Sequence, residues 1–187
     1  MVFGLCKILV MTVEQKILTP NKFSRPGVKL SHVRGVVIHW VGNANSSAIA
    51  NRNYFENLKN QTTTKNARYA SSHYIIGLNG EVLQCLPLDE WAYHVGAMTY
   101  KDEAIRKLSG YPNNCTIGIE LCHPDWSGKF TEQTMKSAIE LTAWLLRKYN
   151  LSCDCIFRHY DITGKDCPRF FVHNKNEWES FKLMVNC

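Results

Sequence analysis

Polar side chains stand inside or just after three apolar, strand-like runs of the sequence. His39 follows the run VVI, Glu120 interrupts the run IGIEL, and His159 follows the run IFR. An unpaired carboxylate inside such a run is costly to bury. In α/β proteins, binding and catalytic groups collect where the strands of the sheet end. The three side chains therefore mark a candidate site at one edge of a sheet.

A cysteine adds a third potential metal ligand. Cys167 lies eight residues after His159, across a turn that contains Gly164. Imidazole and thiolate suit zinc, and a catalytic zinc keeps its fourth position for water. The separation of residues 39, 159 and 167 matches no short zinc-finger pattern. Spacing alone therefore leaves two interpretations open: a His-His-Cys zinc site, or two hydrogen-bonded core histidines with an inert thiol.

The elements that must position these residues alternate between strand and helix patterns. Two β-rich runs flank Asn79-Gly80, which is the preferred pair for a tight hairpin turn. The strand patterns cover 33–42, 73–86, 116–122 and 155–160, and the helix patterns cover 48–59, 101–108, 131–149 and 177–185. We expect an α/β fold, a single domain with a central mixed β-sheet flanked by helices. Residues 1–29 are predicted to be an N-terminal extension or lead-in, and residues 30–187 to form the domain.

Length, composition and charge limit the function classes. The chain has 187 residues, of which 45% are hydrophobic and 20% charged, as expected for one domain with its own core. No apolar run reaches the roughly 18 residues of a membrane-spanning helix, so we expect no membrane insertion. The net charge of +6 favours polyanionic partners. Because no long Lys/Arg run or basic helix accompanies it, nucleic acid is not the expected partner.

The cysteines and the N-terminus bear on where the chain is made. Most of the eight cysteines lie in apolar, strand-like runs, where cysteine packs as a small hydrophobe. We therefore expect reduced thiols and folding in a reducing cytoplasm. The first residues, MVFGLCKILVMTV, lack a basic start and a small-residue cleavage site, so no secretory signal is predicted.

Five blocks of sequence, taken in order, carry a family resemblance. They are VVIHWVG, SSHYIIGLNGEVLQCL, EWAYHVGA, NNCTIGIELCH and RHYDITGKDCP, and they lie between about residues 30 and 172. Any one block would be weak, but the set is specific. It resembles the zinc-dependent N-acetylmuramoyl-L-alanine amidases of the amidase-2 family, which is related to the peptidoglycan recognition proteins. Within that family, the five blocks most resemble those of clostridial autolysins and of the catalytic domains of phage endolysins.

The resemblance implies a role for each candidate residue. His39, His159 and Cys167 correspond to the ligands of one catalytic Zn²⁺ ion, and Glu120 to the acid/base carboxylate. Lys165 lies two residues before the thiolate ligand, where the phage enzymes carry a catalytic lysine. On this basis the domain at 30–187 is expected to be an amidase-2-like catalytic domain.

Further side chains are expected to contact the substrate. His94 could hydrogen-bond substrate or an oxyanion, with a solvated loop histidine as the alternative. Trp40 and Trp91 could line a glycan-peptide groove, with core packing as the alternative. Where the phage enzymes carry a functional tyrosine this chain has Ser72, and Tyr74 lies two residues on, on the same face of its strand.

The other histidines and a close cysteine pair receive structural roles. His73 is predicted to be structural, packed beside the hairpin, and His123 and His173 to lie at the surface. Cys153 and Cys155 point the same way on a strand, but no further ligands accompany them. We therefore expect no second metal site.

The expected function is hydrolysis of the amide bond between N-acetylmuramic acid and L-alanine in bacterial peptidoglycan. The alternative is a non-catalytic peptidoglycan-binding module, a class marked by loss of a zinc ligand. Cys167 and Glu120 are both present, which favours the enzyme. A structural zinc site is a third interpretation, and it requires a fourth protein ligand. We expect a monomer that is made in the cytoplasm and acts at the cell wall after release.

Overall fold

A six-stranded sheet organises residues 12–185, the part of the chain that the computed structural model describes. The strand order is β1-β4-β3-β5-β2-β6, and every neighbouring pair is parallel except the antiparallel hairpin β3-β4. The strands are β1 (Val13–Gln15), β2 (Gly35–Trp40), β3 (Tyr74–Ile76), β4 (Val82–Gln84), β5 (Thr116–Leu121) and β6 (Ile156–Arg158). The predicted mixed sheet is confirmed.

Within residues 12–185, six α-helices cover the two faces of this sheet. They are α1 (Ala48–Asn57), α2 (Asp102–Lys107), α3 (Glu132–Tyr149), α4 (His159–Thr163), α5 (Arg169–His173) and α6 (Lys175–Val185). Helices α3, α5 and α6 share a core with one face, and α1, α2 and α4 pack on the other. Among the helices of the described residues, none combines the length and the apolar character needed to span a membrane.

The two faces of the central strands differ in chemistry. On one face, apolar residues of β2 and β5 such as Val36, Ile38 and Ile119 pack against Leu141 and Leu145 of α3, and all five are fully buried. Because side chains alternate along a strand, the intervening positions point to the other face. That face carries the polar candidates, so the apolar face anchors the strands that hold the site.

Helix α3 begins and ends at recognisable capping residues. The side chain of Thr131 accepts a hydrogen bond from the backbone N–H of Thr134 at 3.0 Å, which satisfies one free donor of the first turn. Asn150 ends the helix in the left-handed conformation, which asparagine tolerates better than most residues. The prediction of a helix over 131–149 is confirmed to within one residue.

Part of the predicted lead-in belongs to the sheet. Strand β1 pairs with β4, and Leu18 and Phe23 are buried in the core that α1 covers. Arg25 fastens this segment, because its guanidinium donates to both carboxylate oxygens of Glu90 at 2.8 and 2.9 Å. The boundary predicted at residue 30 therefore does not separate these residues from the domain. A three-residue strand shows too little alternation to be predicted from sequence.

The cysteines agree only in part with the predicted reduced state. The free thiols are Cys85, Cys115, Cys122, Cys155 and Cys167. Cys153 is disulfide-bonded, which corrects the expectation for that residue. Cys6 and Cys187 lie outside the described residues.

A partly buried carboxylate ties α1 to the N-terminal segment. Glu56 accepts hydrogen bonds from the backbone N–H and the hydroxyl of Thr19, at 3.0 and 2.6 Å, and from Lys59 at 2.5 Å. Burial opposes the charged form, but the hydrogen bonds from Lys59 and Thr19, with the charge of Arg52, lower the pKa of Glu56 from 4.5 to about 2. Ionised Glu56 therefore stabilises the folded state.

We expect Glu56→Gln to lower the free energy of unfolding by about 1–3 kcal/mol near neutral pH, the range for hydrogen bonds to a charged group. Because the pKa is depressed on folding, this stabilisation is present above pH 4.5 and disappears as the pH falls through about 2. Urea unfolding across that range, with Glu179→Gln as an exposed control, would measure it. A destabilisation that stays constant down to the lowest pH would contradict this account.

Candidate metal centre

Three donor atoms meet where the central strands end. His39 lies in β2, His159 begins α4 directly after β6, and Cys167 follows the turn after α4. The Nδ1 atoms of the two histidines are 3.1 Å apart, and the Cys167 Sγ atom is 3.8 Å from His39 Nδ1. All three side chains are buried, and their donor atoms lie within 4.8 Å of one another.

Two of the three donor separations are close to those around a tetrahedral metal ion. Zinc bonded to imidazole and thiolate at ordinary lengths would hold two nitrogens about 3.3 Å apart and a nitrogen and a sulfur about 3.6 Å apart. The observed values are 3.1 and 3.8 Å. Two imidazole nitrogens and a thiol in a buried cluster are also the donors that a borderline-soft divalent cation prefers. The residues present therefore fit the metal that the sequence predicted.

A tight return of the chain brings Cys167 back beside His159. Gly164 ends α4 in a left-handed conformation with a φ of 83°, which favours glycine. The backbone N–H of Tyr160 then donates to the carbonyl of Cys167 at 2.9 Å. At the start of the helix, the carboxylate of Asp161 accepts the backbone N–H of Arg158 at 2.8 Å. The stretch from His159 to Cys167 thus forms one short helix, a turn at Gly164 and a segment that runs back beside the start of the helix.

The electrostatics keep the imidazoles in the form that binds metal. Burial and the neighbouring histidines lower the pKa of His39 well below its ordinary value. Burial, with the charge of Lys165, lowers the pKa of His159 to about 3. Both rings are therefore neutral near neutral pH. Burial raises the pKa of the Cys167 thiol, against the opposing effect of the Trp40 backbone N–H, so a bound cation would have to displace the thiol proton.

Glu120 lies directly beside His39, because the two residues are register partners in the parallel pair β2-β5. Its Oε2 atom is buried and has no hydrogen-bond partner within residues 12–185. Burial raises the pKa of Glu120 to about 8, and the positive charge of Lys165 opposes the shift. Lys165 itself is exposed, and its charge also acts on His39 and His159. A carboxylate oxygen left without a partner beside a metal centre is available for proton transfer.

A groove opens from Glu120 towards α1. Its volume is about 390 Å³, and its polar lining includes Asn43, Asn51, Tyr54 and Arg68. Sequence reasoning missed these four residues. They come from a loop, from one face of α1 and from an irregular segment, so no local pattern connects them with Glu120.

Trp40 and His94 lie near the metal centre. Trp40 ends β2, stacks on His123 with ring centroids 4.4 Å apart, and lies 5.2 Å from the guanidinium of Arg169. His94 is buried against His39, so it is not a solvated loop histidine. The prediction that His123 lies at the surface is wrong. Its ring is buried, with its nitrogens 2.6 and 2.8 Å from backbone carbonyl oxygens.

Two predicted substrate contacts lie elsewhere. Tyr74 is 2% exposed in the core with α3, on the face of the sheet opposite Glu120. It is therefore inaccessible to a molecule bound beside His39, which differs from the sequence expectation. Trp91 packs edge-on against Tyr111, with centroids 5.0 Å apart, and does not line the groove at Glu120.

His73 has the structural role that was predicted. It is fully buried, and its Nδ1 atom accepts the backbone N–H of Gly118 at 3.0 Å. Its Nε2 atom then donates to the carbonyl of Glu90 at 2.9 Å. The ring therefore joins β5 to Glu90, the residue that Arg25 binds.

Fold and site together define an α/β domain with a candidate metal centre at the carboxyl edge of its sheet. The chain belongs to the amidase-2 family, described as N-acetylmuramoyl-L-alanine amidase, whose sequence model matches residues 29–170. The resemblance inferred from the five sequence blocks is thereby confirmed.

Two curated relatives come from Bacillus. A "Probable N-acetylmuramoyl-L-alanine amidase" of Bacillus licheniformis is 37% identical over 166 residues, which cover 89% of this chain and 45% of that protein. The N-acetylmuramoyl-L-alanine amidase BlyA of Bacillus subtilis (strain 168) is 33% identical over 172 residues, covering 88% and 44%. The chain thus spans less than half the length of these relatives.

Solved structures share the fold over nearly the whole chain. The catalytic domain of XlyA superposes with a TM-score of 0.70 at 25% identity, covering 94% of this chain and 99% of that one. The catalytic domain of PlyG superposes with a TM-score of 0.72 at 19% identity, covering 94% and 93%. The predicted fold class is confirmed by both.

Cys167→Ser should abolish thiolate coordination while leaving the fold intact. We expect the unchanged protein to bind one Co²⁺ ion with an intense sulfur-to-cobalt charge-transfer absorption, which the variant lacks. Affinity should fall by more than the about 10–100-fold typical of changes outside the ligand set. Cys155→Ser is the control, because Cys155 is a free thiol outside this cluster. Retention of the charge-transfer band in Cys167→Ser would remove Cys167 from the ligand set.

Proposed function

We propose that this domain hydrolyses the amide bond between N-acetylmuramic acid and L-alanine in bacterial peptidoglycan. The observation that carries the proposal is the unpartnered carboxylate oxygen of Glu120 beside the cluster of His39, His159 and Cys167. Family membership and the names of the relatives support the same activity. The partner of the domain in this reaction is the peptidoglycan of the bacterial cell wall, where the domain acts.

The proposed cofactor is one Zn²⁺ ion held by His39 Nδ1, His159 Nδ1 and Cys167 Sγ. Their burial, spacing and chemistry support it. When bound, zinc supplies Lewis acidity that polarises a carbonyl group and activates water. Glu120 is not a ligand in this proposal, because its role requires a free oxygen atom. A fourth protein ligand would instead make the site structural.

Glu120 moves the proton. Its carboxylate accepts a proton from the attacking water while the new carbon–oxygen bond forms at the lactyl carbonyl. It then delivers that proton to the amide nitrogen as the carbon–nitrogen bond breaks. The products are a lactyl carboxylate on the sugar and a peptide with a free N-terminal L-alanine. Burial raises the pKa of Glu120 to about 8 in the metal-free site. The positive charge of a bound zinc ion would oppose this shift and favour the carboxylate form that accepts the proton.

Lys165 and the groove act on the substrate. The exposed ammonium group of Lys165 lies close enough to oppose the pKa shift of Glu120, and there it stabilises negative charge that develops on the carbonyl oxygen. The groove along α1 receives the stem peptide, with Arg68 pairing with a peptide carboxylate. Trp40, at the end of β2, offers an aromatic surface to the glycan side.

Glu120→Gln should lower kcat by about 10²–10⁴-fold, the usual contribution of a positioned acid/base group, with zinc affinity unchanged. Mass spectrometry of digested peptidoglycan would follow the release of peptides that begin with free L-alanine. Glu179→Gln is the control, because Glu179 is an exposed partner of Lys182 on α6.

Three other outcomes of that digestion would contradict the proposal. Normal turnover by Glu120→Gln would remove Glu120 from proton transfer. New reducing sugar ends would indicate a glycosidase. Binding of the unchanged, zinc-loaded protein to the wall without any cleavage product would indicate the non-catalytic recognition module.

Arg68→Met should raise KM for peptidoglycan fragments by about 10–100-fold, the equivalent of one hydrogen bond to a charged group, with kcat nearly unchanged. Methionine keeps the aliphatic part of the side chain and removes the charged guanidinium group. Arg106→Met, on the exposed surface of α2, is the control. An equal loss of kcat, with KM unchanged, would assign Arg68 to the reacting end of the groove instead.

A further inference from the structure

A line of buried hydrogen bonds leads away from the metal centre, behind His39. His39 Nε2 lies 3.0 Å from His94 Nδ1, and His94 Nε2 lies 3.0 Å from the Thr116 hydroxyl. The hydroxyl in turn lies 2.7 Å from the carbonyl oxygen of Pro112. All three polar side chains are buried. The line therefore starts at a metal-ligand candidate and ends at a backbone carbonyl.

The backbone carbonyl sets the direction of every proton in this line. A carbonyl oxygen can only accept, so the single hydroxyl proton of Thr116 points to Pro112. The Thr116 oxygen can then only accept from His94, which places a proton on His94 Nε2. In a neutral imidazole only one nitrogen carries a proton, so His94 Nδ1 is an acceptor.

The proton position of His39 follows from that of His94. Since His94 Nδ1 accepts, His39 Nε2 must donate, and the other nitrogen of His39 carries no proton. That nitrogen, Nδ1, faces His159 Nδ1 at 3.1 Å and Cys167 Sγ at 3.8 Å. Burial lowers the pKa values of His39 and His94 well below their ordinary value, which agrees with two neutral rings.

We propose that Thr116 and His94 are positioning residues that fix the tautomer of His39 and hold its Nδ1 lone pair open towards the metal centre. Ligating histidines generally depend on such a partner for orientation and tautomer. Here the partner is a second histidine, whose own tautomer is set by a threonine and a backbone carbonyl.

The local structure is built around this line. A Cβ atom at Gly118 would lie 2.7 Å from the His94 ring, so glycine is required for the ring to lie against β5. The turn at Pro112–Asn114 supplies the terminal carbonyl, and its Asn113 side chain accepts the backbone N–H of His94 at 3.1 Å. One turn therefore fixes both His94 and the acceptor on which its tautomer depends.

The tautomer of His39 is a property of the chain itself, whereas its effect on zinc affinity rests on the proposed function. Nitrogen-15 NMR of the histidine rings in the metal-free full-length chain measures the tautomer directly. We expect His39 to be protonated on Nε2 and bare on Nδ1, and His94 to show the same tautomer. Protonation of His39 on Nδ1 would overturn the proposal without any variant.

A matched pair of threonine variants tests the positioning role. Thr116→Val removes the hydroxyl that His94 needs, so we expect mixed tautomers at His94 and His39 and an about 10-fold weaker zinc affinity in competition with a chelator. Thr142→Val is the control, since the Thr142 hydroxyl is buried without a hydrogen-bond partner among residues 12–185. Thr116→Ser, which keeps the hydroxyl, should restore the tautomer and the affinity.

The outcomes separate this proposal from the proposed function. If Thr116→Val binds zinc as tightly as Thr142→Val and keeps the tautomers, Thr116 has no positioning role. If the tautomers are as expected but peptidoglycan is not cleaved, the hydrogen-bond line stands and the amidase proposal fails. The wild-type NMR measurement and the serine variant decide the question even if Thr116→Val does not fold.

Discussion

The parallel pairing of β2 with β5 is the constraint on which the site depends. Its register sets His39 beside Glu120 and, on the same face, aligns Val37 with Gly118. A slip of one residue would turn every side chain of one strand to the opposite face of the sheet. The apolar residues that alternate with these positions pack against α3 and oppose such a slip. The core therefore fixes the geometry of the site through the strands they share.

The buried polar groups on this face of the sheet differ in whether they have hydrogen-bond partners. His39 Nε2, both ring nitrogens of His94 and the Thr116 hydroxyl are matched to one another or to a backbone carbonyl, whereas His39 Nδ1 faces the metal centre. A fully matched buried network is rigid, whereas a partner left out would cost the full desolvation of the group. Glu120 is the exception, because Oε2 stays unmatched. The network holds the His39 ring still, and the neighbouring carboxylate keeps one oxygen atom without a partner.

The sequence was informative where the pattern was local. The hairpin around Asn79-Gly80 and the long helix α3 were predicted because turn chemistry and helical periodicity act within a few residues. His39, Glu120 and His159 stood out because polar groups break apolar runs. The face of Tyr74, the burial of His123 and the lining of the groove were not predictable in this way. They depend on which strand or loop packs opposite, and that information is tertiary.

His94 shows most clearly how the fold adds to the sequence. The family resemblance of its sequence block suggested a contact with substrate or an oxyanion, yet the structure buries the ring behind a metal-ligand candidate. That location requires a strand glycine at residue 118 and a turn whose carbonyl faces Thr116. Gly118 and Thr116 both lie in β5, so they meet His94 only once that strand is in place. The orientation of the His39 ring thus depends on more than its own strand. It also depends on the turn at Pro112–Asn114, more than 70 residues further along the chain.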